Sequence, residues 1–378
     1  MFLSIIKHKL YIKMISGSLK FRTVVQTITL CFIICLISCK EEHRKEETTA
    51  MPEDAEKRIK LVSNEADKMV EVMIDGKLFT AYRYPENIKK PVLYPLVTPA
   101  GTKITRKFPL EPSSGERVDH PHHVGVWFNY GEVNGLDFWN NSDSIKVEER
   151  AKYGKIVHNS IEATEDGDDQ ASLKVTMDWK APDGKILLKE NTTFVFKGKD
   201  SVYTIDRITK LTAASEDVLF KDNKEGMLGI RVTRALELPS DEPTIFTDAN
   251  GNPTPVAKLN NDGVNGNYVN AEGTEGLETW GKRSNWVNLF SNIGDEKIAL
   301  AIIDHKSNVG HPTYWHSRGY GLFAANPLGQ EVFSEGEESL NFKLDKGDST
   351  TFKYRIVVAN GELDQEDLNV MFLKFSEQ

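Results

Sequence analysis

The amino-acid sequence predicts an all-β protein, a large antiparallel β-sandwich closed by a short C-terminal helix. Three observations carry this expectation. Apolar and polar residues alternate with period two in runs separated by Asp-Gly and Pro-Asp-Gly turns, the pattern of half-buried antiparallel strands. No strand pattern alternates with long amphipathic helices, which argues against a parallel α/β arrangement. Only residues 364–374, DQEDLNVMFLK, read as helix, with acids in the first turn and Leu368, Met371 and Phe372 on one side.

Taken in order, Val70, Val72 and Ile74 alternate, Asp75-Gly76 turns, and Leu78, Thr80 and Tyr82 alternate back as a hairpin. Leu173 to Trp179 turns through Pro182-Asp183-Gly184 into Ile186 to Phe196. Val202 to Leu211 and Ile298 to Ile303 read as further strands, and Leu340 to Leu344 with Phe352 to Val358 as a closing strand pair across Asp345-Lys346-Gly347-Asp348. Residues 248–279 are rich in Gly and Asn and read as a long loop. Within it, Asn260-Asn261-Asp262-Gly263 lacks the glutamate that would close a calcium loop and reads as a turn.

The amino terminus has a different character. Residues 1–38 carry Lys7, Lys9, Lys13, Lys20 and Arg22 with no acid, then an apolar run from Val24 to Ile37. That run is shorter than the ~20 apolar residues a membrane span needs. A basic region before a short apolar one reads as a signal peptide. Leu36-Ile37-Ser38-Cys39 matches a bacterial lipobox, with Cys39 as the lipidated residue. Two or more acyl chains there would anchor the chain stably. The three cysteines are Cys31, Cys35 and Cys39. The mature chain would therefore have neither a disulfide nor a thiol nucleophile. Lys40 follows the anchor where an inner-membrane retention signal would place Asp, which leans toward the outer membrane. Residues 39–58 are charged and poor in large apolar side chains, as in a disordered tether, leaving 59–378 as a single β-sandwich domain. Removal of five basic charges leaves a body more acidic than the whole chain at −9, which argues against nucleic acid as a partner.

Chemistry concentrates in two segments. The first runs Asp119-His120-Pro121-His122-His123 to Trp127, then Asn134-Gly135 to Trp139. The second runs Asp304-His305, then His311-Pro312-Thr313-Tyr314-Trp315-His316-Ser317-Arg318-Gly319-Tyr320, and ends at Asn326-Pro327-Leu328-Gly329. Six of the nine histidines lie in these stretches, and imidazole serves as acid, base or metal ligand near neutral pH. Pro121 excludes a central strand at the first segment. If extended, His120 and His122 would share a face and His123 would oppose them. His316 and Arg318 alternate and would face one cleft. In Glu225 to Arg231, Gly229 and Arg231 would share a face, where glycine admits a ligand closely, or Arg231 would pair with Glu225. Trp280-Gly281-Lys282-Arg283 reads as an aromatic and basic wall, or as sheet packing.

At these motifs the chain resembles a family of bacterial proteins, often lipoproteins, commonly labelled methane oxygenase PmoA or PmoA-like, over about residues 60–360. The label names a multi-pass membrane subunit, whereas the mature chain has no apolar stretch of spanning length. The resemblance instead implies association with sugar utilisation. The all-β plan is also similar to the supersandwich of galactose mutarotase-like proteins, an architectural analogy that carries little about chemistry.

The leading expectation is an envelope lipoprotein performing acid–base chemistry on a carbohydrate: hydrolysis, elimination or epimerisation. His122 or His123 would be the base, His316 the acid, with Arg318 and Glu225 beside them. Arg231, Trp280, Trp315, Tyr320, Asn326 and His305 would bind substrate. No cofactor is required. The alternatives are a non-catalytic glycan-binding lipoprotein, and a divalent-metal enzyme using His120, His122 and His311.

Overall fold

The computed structural model describes residues 56–378 except 112, 249, 251 and 259. The signal segment, Cys39 and most of the tether lie outside the described residues. The strands in chain order are β1 (Ile59–Asn64), β2 (Met69–Ile74), β3 (Lys77–Arg83), β4 (Val92–Leu96), β5 (Val126–Tyr130), β6 (Lys155–Glu165) and β7 (Gln170–Lys180). Then come β8 (Ile186–Lys199), β9 (Val202–Ala213), β10 (Val218–Phe220), β11 (Gly226–Arg231), β12 (Thr244–Thr247), β13 (Pro253–Val256) and β14 (Asn267–Asn270). The last are β15 (Trp286–Ile293), β16 (Glu296–Asp304), β17 (Tyr314–Arg318), β18 (Leu322–Asn326), β19 (Phe342–Leu344) and β20 (Ser349–Asn360). Helix α1 (Gln330–Phe333) is a single turn, and α2 (Gln365–Ser376) ends the chain.

Two eight-stranded antiparallel sheets form the sandwich. The first runs β1-β2-β3-β4-β5-β11-β18-β17 and the second β14-β15-β16-β20-β9-β8-β7-β6. Their facing surfaces bury Val70, Tyr82, Phe128, Ile230 and Phe323 against Leu173, Phe194, Ile205, Leu300 and Ile356 in one core. The expected helix forms at α2, capped by Asp364, whose side chain accepts from the Asp367 backbone N–H. Its Leu368 and Phe375 pack on Trp286, Ala301, Ile303 and Val357, on the second sheet's outer face.

The first hairpin forms as expected. Asp75 and Gly76 take φ of 50° and 74°, the left-handed pair that suits the strand twist. Its alternation is broken, however, by irregularities after Val72 and after Thr80. Phe79 and Tyr82 therefore reach the core, where strict alternation would have sent Leu78 and Tyr82. The closing strand pair is a correction: β19 pairs with β10, while β20 lies between β16 and β9. The 248–279 stretch is also more ordered than its composition suggests, since it contains β13 and β14.

One charged pair sits between the sheets. Glu190 accepts from Arg207, from Trp179 Nε1 at 2.7 Å and from Thr192 at 2.6 Å. The Arg207 guanidinium lies 4.8 Å from the Phe128 ring centre and 5.0 Å from that of Phe194. Glu190→Ala would strand a buried guanidinium and is expected to lower unfolding free energy by about 3–5 kcal/mol. Denaturant titration checks this, and a loss under 1 kcal/mol would mean that Arg207 finds water.

Candidate functional site

The outer face of the first sheet carries the site. Antiparallel register aligns Trp127, Gly229, Ala324 and His316 in one row across β5, β11, β18 and β17. The next row aligns Arg231, Leu322 and Arg318. Strand alternation thus brings the two histidine segments to one face, about 190 residues apart in sequence. Gly229 admits an aromatic neighbour, not a ligand: a Cβ there would meet Trp127 at 2.6 Å. Trp127 and Trp139 are fully buried in a small apolar cluster with Tyr94 and Val124.

The histidine run crosses this face as a turn. The His123 N–H donates to the His120 carbonyl at 2.9 Å, with Pro121 and His122 between them. This corrects the extended reading. His120 and His123 stack in parallel at 4.8 Å and 2°, and His122 meets both edge-on. The stack continues from His123 to Trp127 at 5.1 Å, and from His120 to Tyr320 at 5.1 Å.

Two buried arginines fix the turn. Arg106 donates to the carbonyls of Arg117, Asp119, His120 and His123 and to Asp119 Oδ1 at 2.9 Å. Arg231, fully buried, donates to the same Oδ1 at 2.5 Å and approaches His123 Nδ1 at 3.2 Å. Its partner is therefore Asp119 and not Glu225, which pairs with Lys224. Burial opposes the Asp119 charge, but the bond to His120 and the charges of Arg231 and Arg106 outweigh it. They hold this carboxyl well below the usual carboxylate range. Lys90, also buried, donates to the carbonyls of His122 at 2.7 Å and Trp139 at 3.4 Å, and burial brings its amine down to about 7.

These surroundings redistribute the expected roles. Burial, then the neighbouring Lys90, lowers His122 to about 2. His123 is driven well down by complete burial and by His122. Both are neutral packing groups, poorly suited to the base role expected of them. His316 is also neutral: burial lowers it to about 3, Nδ1 donates to the Lys224 carbonyl at 2.8 Å, and Nε2 accepts from Arg318 at 3.2 Å. Its one N–H is held by the Lys224 carbonyl and its Nε2 positions Arg318, an arrangement poorly suited to the acid role expected of it. His120 is the member of the turn that opens outward, with its side chain 39% exposed and Nδ1 3.1 Å from Asp119 Oδ2. Around it lie Tyr320, Arg318 over the Trp280 ring at 5.0 Å, and Glu225, whose charge reaches the Tyr320 phenol.

Other expected residues lie elsewhere or are already engaged. Trp315 faces the inter-sheet core, fully buried, with Nε1 bonded to the Ser284 carbonyl at 3.0 Å. Both ends of the Asn326 amide are used, on Asn223 and Leu328. His305 and His311 pack under α2 against Phe375 and Phe372, with His311 Nδ1 2.7 Å from Asp304. The chain passes from the second sheet to the first between β16 and β17, so these histidines and His316 face opposite ways. His311 therefore cannot join His120 and His122 around a metal. Among the described residues no group of three His, Cys, Asp or Glu side chains is arranged to hold one. Arg106 and Lys90 carry the site without a sequence signal of their own, and Asp119, named at the head of the histidine run, proves to be the anchor of Arg106. The available signal was Asp119 beside a Pro-interrupted histidine run.

Comparison with known proteins places this geometry in context. Residues 69–372 match a family of unknown function, DUF6807. No curated protein sequence matches the chain. The GH36 alpha-galactosidase AgaB of Geobacillus stearothermophilus is similar at 10% identity and a TM-score of 0.39, covering 81% of this chain and 42% of that one. A heparan sulfate lyase HepC mutant from Pedobacter heparinus gives 10% and 0.36, over 81% and 37%. A galactose mutarotase related enzyme from Lactobacillus acidophilus gives 8% and 0.28, over 81% and 99%. The chain thus spans about two fifths of the first two enzymes, and likeness this distant carries nothing about activity.

The neutral histidines make stability depend on pH. His122, His123 and His316 resist protonation when folded but accept a proton at about pH 6.5 when unfolded. The unfolded state then binds more protons, so stability falls as pH drops from about 7 to 5. Thermal melts should show this, with a shallower slope for His122→Gln combined with His316→Gln. Equal slopes would mean that these rings are hydrated.

Proposed function

The chain belongs to a family of unknown function, DUF6807, so its activity is read from the cleft, and we propose a carbohydrate-active protein of the cell envelope, tethered through Cys39, with His120 as proton acceptor. The observation that carries this reading is the Asp119–His120 pair at the opening. A carboxylate 3.1 Å from Nδ1, close but outside hydrogen-bonding geometry as the ring stands, would set the tautomer on a small turn of the ring and leave Nε2 as the accepting nitrogen. His120 holds this position at φ +45°, a backbone conformation that β-carbon residues rarely adopt and that clusters at functional sites.

The opposite wall supplies charge and an aromatic surface. Arg318 has no acidic partner within ion-pair distance among the described residues, and it lies over Trp280 with His316 fixing its Nε. It would receive a carboxylate, a hydroxyl or the oxyanion that forms when a proton leaves carbon. The Tyr320 phenol, raised by burial, stays protonated and could return a proton to the leaving oxygen. This set suits elimination or epimerisation of a sugar, in which one proton is removed and one supplied. The Trp280 and Tyr320 surfaces would equally hold a glycan without turning it over.

The test is a panel of neutral and acidic oligosaccharides, scored for new reducing ends, unsaturated products and epimers. His120→Gln and Asp119→Asn should each lower kcat by about 10²–10⁴-fold with KM little changed. Full turnover by His120→Gln would remove it as the base. Binding by calorimetry without turnover of any sugar would favour a capture role.

A further inference from the structure

Three neighbouring cavities lie on the far side of the histidine turn. The first, about 170 Å³, is lined by Pro121, His122, Lys89 and Lys90. The second, about 500 Å³, shares Ile88, Lys89 and Lys90 with it and adds Lys68, Tyr84, Lys155 and His158. The third, about 230 Å³, shares Lys89 and Asn141 with the first and Lys155 with the second, and adds Arg150, Tyr153 and Lys180. The shared walls make one tract that begins at His122, whose ring lies 5.6 Å from that of His120.

The charge of this tract opposes that of the chain. The whole sequence carries −9, yet six basic side chains line the three cavities against two carboxylates, Glu86 and Asp143. Lys68 pairs with Glu86, Lys89 with Asp143 and Lys180 with Asp178. Lys155 and Arg150, both exposed, have no carboxylate within ion-pair distance among the described residues, and Arg150 donates only to the Ile145 carbonyl. Exposed cations set close together repel one another, and a cleft focuses their field on an anion. Tyr84 leans on His158 at 4.0 Å and 30°, a tilted ring pair in the wall of the second cavity against which a sugar ring can pack.

Resting on the carbohydrate reading above, we propose that this tract binds an acidic glycan, whose carboxylate or sulfate groups meet Lys155, Arg150 and Lys89 while the chain leads toward the His120 cleft. Neutral glycans would lose the ionic contacts, and a bare anion would lose the Tyr84 contact.

The test measures binding, so it stands apart from turnover. The purified protein is titrated by calorimetry with an oligogalacturonate and with a neutral oligogalactoside of equal length, at low salt and at about 0.15 M salt, where the screening length is near 8 Å. The acidic oligomer should bind at least about tenfold more tightly, and more weakly as salt rises. Lys155→Glu combined with Arg150→Glu, two exposed positions, should lower its affinity by about tenfold or more, with an unchanged melting temperature. His120→Gln, which keeps the backbone carbonyl that Arg106 holds, should still bind it, which separates this proposal from the catalytic one. Equal affinity for the neutral oligomer, or no effect of the double substitution, would overturn the proposal. So would binding to phosphatidylglycerol vesicles without binding to the acidic oligomer.

Discussion

Two guanidinium groups buried side by side and bridged by one carboxylate hold the histidine turn in place. Arg106 and Arg231 are 2% and 0% exposed, and each would be strongly unfavourable in that position alone. Asp119 meets both through one oxygen, and four backbone carbonyls of the 117–123 segment accept from the two terminal nitrogens of Arg106. The arrangement works because Arg231 is fixed by the β11 ladder while Arg106 and Asp119 come from the covering loop. The loop can settle only where its carboxylate and carbonyls reach both cations. Fork geometry matters here, since an ammonium could not span the same set of acceptors.

The clamp sorts the three histidines of the turn by environment. His123 is pressed between His120 and Trp127, beside Arg231, and is neutral packing. The carbonyl of His122 is held by Lys90 while its ring lines the basic tract. His120 alone keeps the second oxygen of Asp119 and a share of solvent. One residue type at three positions of a four-residue turn thus meets three different environments. The cause is a tight turn, which sends consecutive side chains in directions that neither a strand nor a helix would give.

The fold was legible because its signal is local. Period-two alternation and the Asp75-Gly76 and Pro182-Asp183-Gly184 turns mark strands whatever they later pair with, and α2 carries its own cap and apolar side. Pairing was less legible. Phe342–Leu344 and Ser349–Asn360 are adjacent in sequence yet belong to different sheets, because β10 competes successfully for the first of them. The site was legible as a pair of segments but not as a set of roles. His305, His311 and His316 look alike in sequence, and only the passage from β16 to β17 sends the first two beneath α2. Arg106 was invisible because its five acceptors lie 11 to 17 residues away and follow no period. Trp315 misled for a simpler reason: it alternates with His316, so if one faces the cleft the other must face the core.

The turn is also a wall common to two spaces. Its His120 side closes the cleft, and its Pro121–His122 side closes the first cavity of the basic tract. A rigid wall of this kind transmits position without moving. A group bound on the Lys89 side meets a surface whose other face already orients His120. The rigidity comes from the same contacts throughout: Arg106 on the carbonyls of His120 and His123, Lys90 on that of His122, and Asp119 between the two arginines. Loosening any of them changes both spaces together. The buried ion cluster is therefore better understood as fixing geometry than as adding net stability, since apolar groups of equal volume could fill the same site without placing His120.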